Sequence, residues 1–352
     1  MQTSLDNVVI EEVDIRNLSD AEIAETNAFE NVFAVESHPE DPPTPLEVTV
    51  ATIRNLPEFV VIRQFTARSS ARELIAAGNG VWLTTEDNPH LVQAGIAVLP
   101  AFRRRGIGTA LLARIVEVAE QEGRTTLIGG SNERVPAGEA FARAVGAEAA
   151  LAEHTNRLLL AEVDQDLVQS WIEDGPKRAP GYSLVSIDGP YPDELVEQIV
   201  DLHHVMNTAP RGDLDMNDWH MTVEQVRDGE KEMLARGTER WYVAARDDAT
   251  GRLAGFTELF YNPKSAPETI GQGGTGVRPE HRGHALGKWL KALNIDRVLR
   301  ERPQVVDIRT GNADSNDAML GINKALGFKP YIANTAWQIS VDQAKEYLDG
   351  RS

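Results

Sequence analysis

Apolar and polar positions run through this chain as two copies of one series of elements. In the first copy Val8 to Val13 alternates as a short strand does, and Asp20 to Phe33 carries helical spacing. His38 to Pro45 is proline-rich and acidic, which predicts a surface loop. Phe59 to Phe65 reads as a strand, Glu73 to Thr85 as a strand on each side of a Gly78-Asn79-Gly80 turn, and Leu91 to Val98 as another. From Gly106, Ile107, Leu111, Ile115 and Val118 recur at helical spacing until Gly123, with Arg114, Glu117, Glu120 and Gln121 facing solvent. A strand at Thr125 to Ile128, a turn at Gly129 to Asn132, a helix with Pro136 near its start and Gly146 at its end, and a last strand at Arg157 to Ala161 complete this copy.

Residues 164–180 are polar and end in Gly175-Pro176 and Ala179-Pro180, which predicts a linker between a first domain, 1–163, and a second, 181–352. The order of elements then repeats. Tyr182 to Ile187 is a strand, Pro192 to Met206 and Val223 to Arg236 are helices, and Trp241 to Ala245, Leu253 to Tyr261 and Ile270 to Val277 are strands. A helix carrying Leu286, Leu290 and Leu293, a strand at Val305 to Arg309, a helix ending at Leu326 and a closing strand at Thr335 to Ile339 follow. Pro279 lies 179 residues after Pro100, and Gly327 lies 181 after Gly146. An offset that drifts so little points to duplication of a unit far longer than a solenoid repeat.

Composition narrows the chemistry. The chain has 352 residues, 41% hydrophobic and 25% charged, enough for two cores. A net charge of −19 argues against nucleic-acid partners and favours cationic ones. Without a cysteine there is no disulfide, thiolate metal site or cysteine nucleophile. Met1 to Glu12 is acidic, and no long apolar run follows, so a cytoplasmic protein with no membrane partner is expected, as a monomer or homodimer with no metal.

The stretches Val98-Leu99-Pro100 and Val277-Arg278-Pro279 each end a strand and lead through a short loop into a helix. Arg103 and Arg282 stand three residues after the Pro, and Gly106, Gly108, Ala285 and Gly287 supply small residues six and eight after it. Such spacing suits a diphosphate: the first turn of a helix has N–H groups without partners, small residues allow approach, and the Arg adds a charged contact. Neither loop has the Gly-Lys-Ser/Thr ending of an NTPase or a full Gly-x-Gly-x-x-Gly. The pattern resembles the acetyl-coenzyme A loop of the GNAT superfamily of N-acetyltransferases, and its two copies resemble a tandem member. This implies an α/β fold of two tandem domains, each a mixed, mostly antiparallel sheet flanked by helices.

The resemblance also implies a function, acetyl-CoA-dependent transfer of an acyl group to a primary amine of a small molecule by direct attack in a ternary complex. The alternative is a catalytically silent acyl-CoA sensor. Coenzyme-contacting positions carry over as Thr275, Gly276, Val277, Arg282, Gly283, His284, Ala285, Leu286, Gly287, Lys288, Asn312 and Asn316 in the second half. In the first half they are Ile96, Ala97, Val98, Arg103, Arg104, Arg105, Gly106, Ile107, Gly108 and Thr109. The first half keeps only Asn132 of the asparagine cluster, which assigns the reaction to the second. Two family features are missing: the Tyr that protonates the departing thiolate is replaced by Asn323 and Ala142, and a Glu on the loop-entering strand by Gln272 and Gln93. Tyr331 is a substitute acid. Glu258, set among apolar neighbours on a strand, is the first candidate base, because burial raises a carboxyl's pKa. His203 and His204 follow, His204 as the catalytic histidine. Asp213, Asp215, Asp218 and Trp219 form an acidic-aromatic loop where the family often closes over the acceptor, favouring a cationic amine.

Overall fold

The computed structural model describes residues 8–350; Met1 to Asn7 of the acidic N-terminal stretch lie outside them. Strand β1 (Val9–Val13) is followed by α1 (Asp20–Ser37), α2 (Leu46–Arg54), β2 (Val60–Arg68), β3 (Leu74–Leu83), β4 (Leu91–Val98), α3 (Ile107–Gln121), β5 (Thr126–Asn132), α4 (Pro136–Ala144) and β6 (Glu148–Leu159). Helix α5 (Gln165–Arg178) precedes β7 (Tyr182–Asp188), α6 (Asp193–His203), α7 (Val223–Ala235), β8 (Glu239–Asp247), β9 (Leu253–Tyr261) and β10 (Thr269–Val277). The chain closes with α8 (Leu286–Glu301), β11 (Asp307–Ala313), α9 (Asp317–Leu326), β12 (Lys329–Ser340) and α10 (Val341–Asp349). Capping boxes at Ser19 with Glu22 and at Thr222 with Gln225 start α1 and α7, satisfying N–H groups the helices cannot. Among the described residues no helix is long and apolar enough to cross a membrane.

Backbone contacts divide these elements into two units, and each borrows its last strand from the other half of the sequence. The first unit contains residues 8–152, 211–218 and 333–350; the second contains 153–210 and 219–332. In the first, β1 to β5 lie in sequence order and β12 pairs antiparallel with β5 over Asn334–Ser340. Its core gathers Phe65, Ile75, Leu111 and Ile115 with Val341 and Ala344 of α10. In the second, the order is β6, β11, β10, β9, β8, β7, with β6 pairing antiparallel with β11 over Glu153–Leu159. One face buries Leu158, Ile270, Ile295 and Ile308, the other Ile199, Leu202, Tyr242 and Phe256. Both sheets are mixed and mostly antiparallel; the parallel pairs are β4 with β5 and β10 with β11.

Five expectations change. The strand read at Arg157 to Ala161 as the end of the first copy belongs to the second unit, and the one read at Thr335 to Ile339 belongs to the first, because each finds its hydrogen-bonding partner there. Residues 164–180, expected as a linker, are mostly the helix α5, capped by Asp164 and packed on α8. A side chain at Gly175 would stand 2.4 Å from Trp289, so the glycine marks a close approach of two helices, not a break. Gly78 and Gly80 lie inside the unbroken strand β3, where a Cβ on Gly78 would press at 3.1 Å on Leu111 of α3. Gly129 to Asn132 continue β5, since β12 supplies backbone partners along its whole length.

Removing residues 333–350 should therefore strip hydrogen-exchange protection from Thr126–Asn132 and spare Asp307–Ala313. Exchange measured on the shortened chain checks this, and loss confined to β11 would contradict the assignment of β12 to the first unit.

Candidate functional site

In the second unit β10 and β11 pair over only three residues, Thr269–Gly271 with Asp307–Arg309, and then diverge. A bulge between Gln272 and Thr275 turns β10 away, aided by Gly273 and Gly274. Arg278 donates its N–H to Ala254 of β9, so by antiparallel alternation Gly276 also faces β9, while Thr275 and Val277 direct their N–H and C=O to the open side. A cleft of about 800 Å³ fills the divergence, within the range of small-ligand sites.

Most of the residues predicted for coenzyme contact meet here. Thr275, Gly276, Val277, Arg282, Gly283, Ala285, Leu286, Gly287, Lys288, Asn312 and Asn316 all line the cleft, whereas His284 lies outside the lining beside Tyr182. Helix α8 begins after Ala285 in left-handed conformation (φ 58°), with no side chain capping its first turn. Arg282 folds back to donate Nε–H to the Val277 carbonyl at 3.1 Å and reaches Thr208 Oγ1 at 3.0 Å. Asn316 caps α9, and Asn312 accepts from Asn323 at 2.8 Å. Thus Asn323, standing where the resembling family has its Tyr, holds Asn312 in place. Uncapped N–H groups, small residues that leave room, an Arg and turned-out strand amides together fit a coenzyme A thioester.

The first unit repeats the parting of strands and the loop, but β4 pairs with β3 in unbroken register, without a bulge. β4 and β5 pair over Leu91–Gln93 with Thr126–Ile128 and then part, Gly106 (φ 83°) precedes α3, and Arg103 donates Nε–H to the Val98 carbonyl at 3.0 Å. Here, however, both terminal nitrogens of Arg103 donate to Glu36 of α1, at 2.7 and 2.5 Å. The paired guanidinium holds the Glu36 carboxyl below its ordinary pKa, and Glu36 holds Arg103 above its own. Ile96 and Val98 pack on the core, Arg104 is left-handed (φ 63°), Arg105 lies over Phe102, Ile107 is buried and Gly108 abuts Phe141. Ala97 pairs with Ala77, and Thr109 lies in the first turn of α3.

None of the catalytic candidates lines the cleft; Glu258, buried, lies directly beneath the bulge. Its carboxylate accepts from the Gly274 N–H at 3.1 Å and the Tyr191 hydroxyl at 3.2 Å, and a Cβ on Gly273 would stand 3.0 Å from Oε1. Burial raises its pKa, and that of Tyr191. His203 stacks on Phe256, ring centroids 4.3 Å apart, and burial pulls its pKa down to about 4. His204 lies 5.5 Å from the His220 ring, its Nε2 buried and without a hydrogen-bond partner. Tyr331 sits outside the cleft lining, with the guanidiniums of Arg157 and Arg309 at 4.3 and 5.0 Å from its ring centroid. Asp213, Asp215 and Asp218 are not among the residues that line the cleft: Asp213 and Asp215 belong to the first unit, where Asp215 meets His90 and Thr126 and the Asp213 carbonyl accepts from Gln338. Asp218 pairs with Arg211 there, while Trp219 exchanges hydrogen bonds with Asn207. Sequence reading missed Thr208, Tyr191 and Lys291; only Lys291 left a signal, as a lone cation four residues after Gly287 on a helix.

The profile of the acetyltransferase (GNAT) family matches residues 29–146 and 197–328, more than half of the chain. The mycothiol acetyltransferase of Clavibacter sepedonicus is 29% identical over 232 residues, 65% of this chain and 66% of the relative. That of Sanguibacter keddieii is 27% identical over 233 residues, 63% and 66%. The chain therefore spans just under two thirds of the length of these relatives. A solved tandem GNAT protein from the clavulanic acid biosynthesis pathway, without acetyl-CoA, is 28% identical, with a TM-score of 0.77 over 95% of this chain and 98% of its own.

The environment of His203 sets a pH dependence. Between its ordinary value near 6.5 and about 4, the unfolded chain binds a proton that the folded one refuses, so this group's contribution to stability is lost as pH falls through that window. Denaturant unfolding of His203→Phe and the parent at pH 7 and 4.5 should show the variant losing about 2 kcal/mol less on acidification. Equal losses would show that the ring is not held neutral.

Proposed function

Because the chain belongs to the acetyltransferase (GNAT) family, we propose that its second unit is an N-acyltransferase taking acetyl-CoA as donor and a primary amine of a small molecule as acceptor. The observation that carries this reading is the open cleft where β10 and β11 part, with the uncapped end of α8 and Arg282 at its mouth. Acetyl-CoA supplies an activated thioester, which the amine attacks directly, the new C–N bond replacing the C–S bond and coenzyme A leaving as its thiol, since a chain without cysteine offers no thiol to carry the acyl group.

The roles of the chain's own groups follow from their placement. Arg282, the first-turn N–H groups of α8 and Lys288 hold the diphosphate, with Gly283, Ala285 and Gly287 leaving it room. Thr275 and Val277 present backbone groups to the pantetheine arm. Glu258, raised in pKa by burial and lying under the bulge, takes the proton from the ammonium of the acceptor. The net charge of −19 favours a cationic amine. The first unit carries the same loop with Arg103 engaged by Glu36, and serves as a non-catalytic partner domain.

Two outcomes test this. Calorimetric titration with coenzyme A should show Arg282→Ala weakening binding about 30-fold, roughly the 2 kcal/mol of a charge-assisted contact, while Arg103→Ala changes it little. Equal sensitivity of both variants, or of neither, would overturn the assignment to the second unit. Glu258→Gln should bind coenzyme A as the parent does yet lose 10²- to 10⁴-fold in turnover over an amine panel, about what a general base supplies. The parent's kcat/KM should fall on acidification from above the ordinary carboxylate range, because the base must be ionised and its pKa is raised. An unchanged rate in the variant would remove Glu258 from the reaction.

A further inference from the structure

The closed end of the cleft in the second unit holds a lysine that the diphosphate mouth does not use. Lys291 lies four residues after Gly287 on α8, so it shares that face about 6 Å deeper. It is 1% exposed, and it lines the cleft together with Gly273 and Thr310, next to the last β10–β11 pair. Its Nζ donates to Gln272 Oε1 at 2.9 Å, and no ion pair among the described residues includes it. An ammonium has three donors, so two remain.

The surroundings are polar but supply no negative charge. Gln272 spends its amide N–H groups on Thr257 Oγ1 at 2.9 Å and the Glu258 carbonyl at 3.2 Å, and Thr257 and Thr275 share a hydrogen bond of 2.8 Å. Burial alone draws the Lys291 pKa down to about 7. A buried ammonium whose partners are a neutral amide and, at 5.3 Å, the face of the Phe328 ring is a costly arrangement that a carboxylate at this depth would relieve. The methyl of an acetyl group offers it nothing.

Resting on the reading of the cleft as a coenzyme A thioester site, we propose that the preferred acyl group carries a carboxylate at its free end, as in the half-thioester of a short dicarboxylic acid, and that Lys291 selects it. The selection acts on the acyl terminus and leaves the diphosphate and pantetheine contacts as they are. A carboxylate reaching the end of the cleft accepts the two free N–H groups of Lys291, while an alkyl chain of equal length must strip water from the ammonium without replacing its partners.

Calorimetric titration of the intact chain with coenzyme A, butyryl-CoA and succinyl-CoA reads this without any acceptor. The parent should bind succinyl-CoA at least tenfold more tightly than butyryl-CoA, and Lys291→Met should reverse the order while binding free coenzyme A as the parent does. Equal affinity of the parent for the two thioesters overturns the proposal with no variant needed, as does a succinyl preference that survives in a Lys291→Met chain still binding coenzyme A. If coenzyme A and both thioesters fail to bind the parent, the coenzyme reading itself falls and takes this inference with it; tight coenzyme A binding without acyl preference removes only the role of Lys291.

Discussion

Everything at the site depends on two parallel strands parting after three pairs. Had β10 and β11 stayed paired, the backbone groups of Thr275 and Val277 would be spent in the sheet and no cleft would exist. In the second unit the divergence is accompanied by a bulge at Gly273 and Gly274, on which Glu258 closes from below, and by a β11 that returns its hydrogen bonds to β6 on its other edge. The bulge thus sets a buried carboxylate under the opening.

The two units show how little separates a free loop from an engaged one. Both fold an arginine back onto the strand that precedes it, at 3.1 Å in one and 3.0 Å in the other. Arg282 then meets a threonine hydroxyl, a neutral partner, whereas Arg103 meets both oxygens of Glu36. A bidentate, partly buried carboxylate offers the guanidinium what a diphosphate would, so an anion entering the first unit must displace it, while one entering the second meets an arginine still short of a counter-charge.

The two loops and the strands and helices on either side of them were legible in the sequence, because small residues, Pro and Arg at fixed offsets carry local physical meaning; helices α2 and α10 were not read. Strand exchange was not: β6 and β12 read as strands from their own residues, but the partner of a strand is a long-range choice that no local pattern encodes. Helix α5 was hidden by Gly175-Pro176, which spells a break in isolation and a close approach once Trp289 is beside it. Glu36 lies 67 residues before Arg103, too far for spacing to connect them. The aspartates at 213, 215 and 218 misled for the converse reason, since acidity suggested a substrate wall where the fold uses them, by side chain or by backbone, to hold a loop within the first unit.

The central claim is that the second unit's parted strands and uncapped helix bind coenzyme A. Hydrogen exchange of the intact chain with and without coenzyme A tests it most directly. The account predicts slowed exchange in peptides covering 273–290, centred on the first turn of α8, with 103–110 unchanged. Unaltered exchange at 273–290 in the presence of saturating coenzyme A would contradict it.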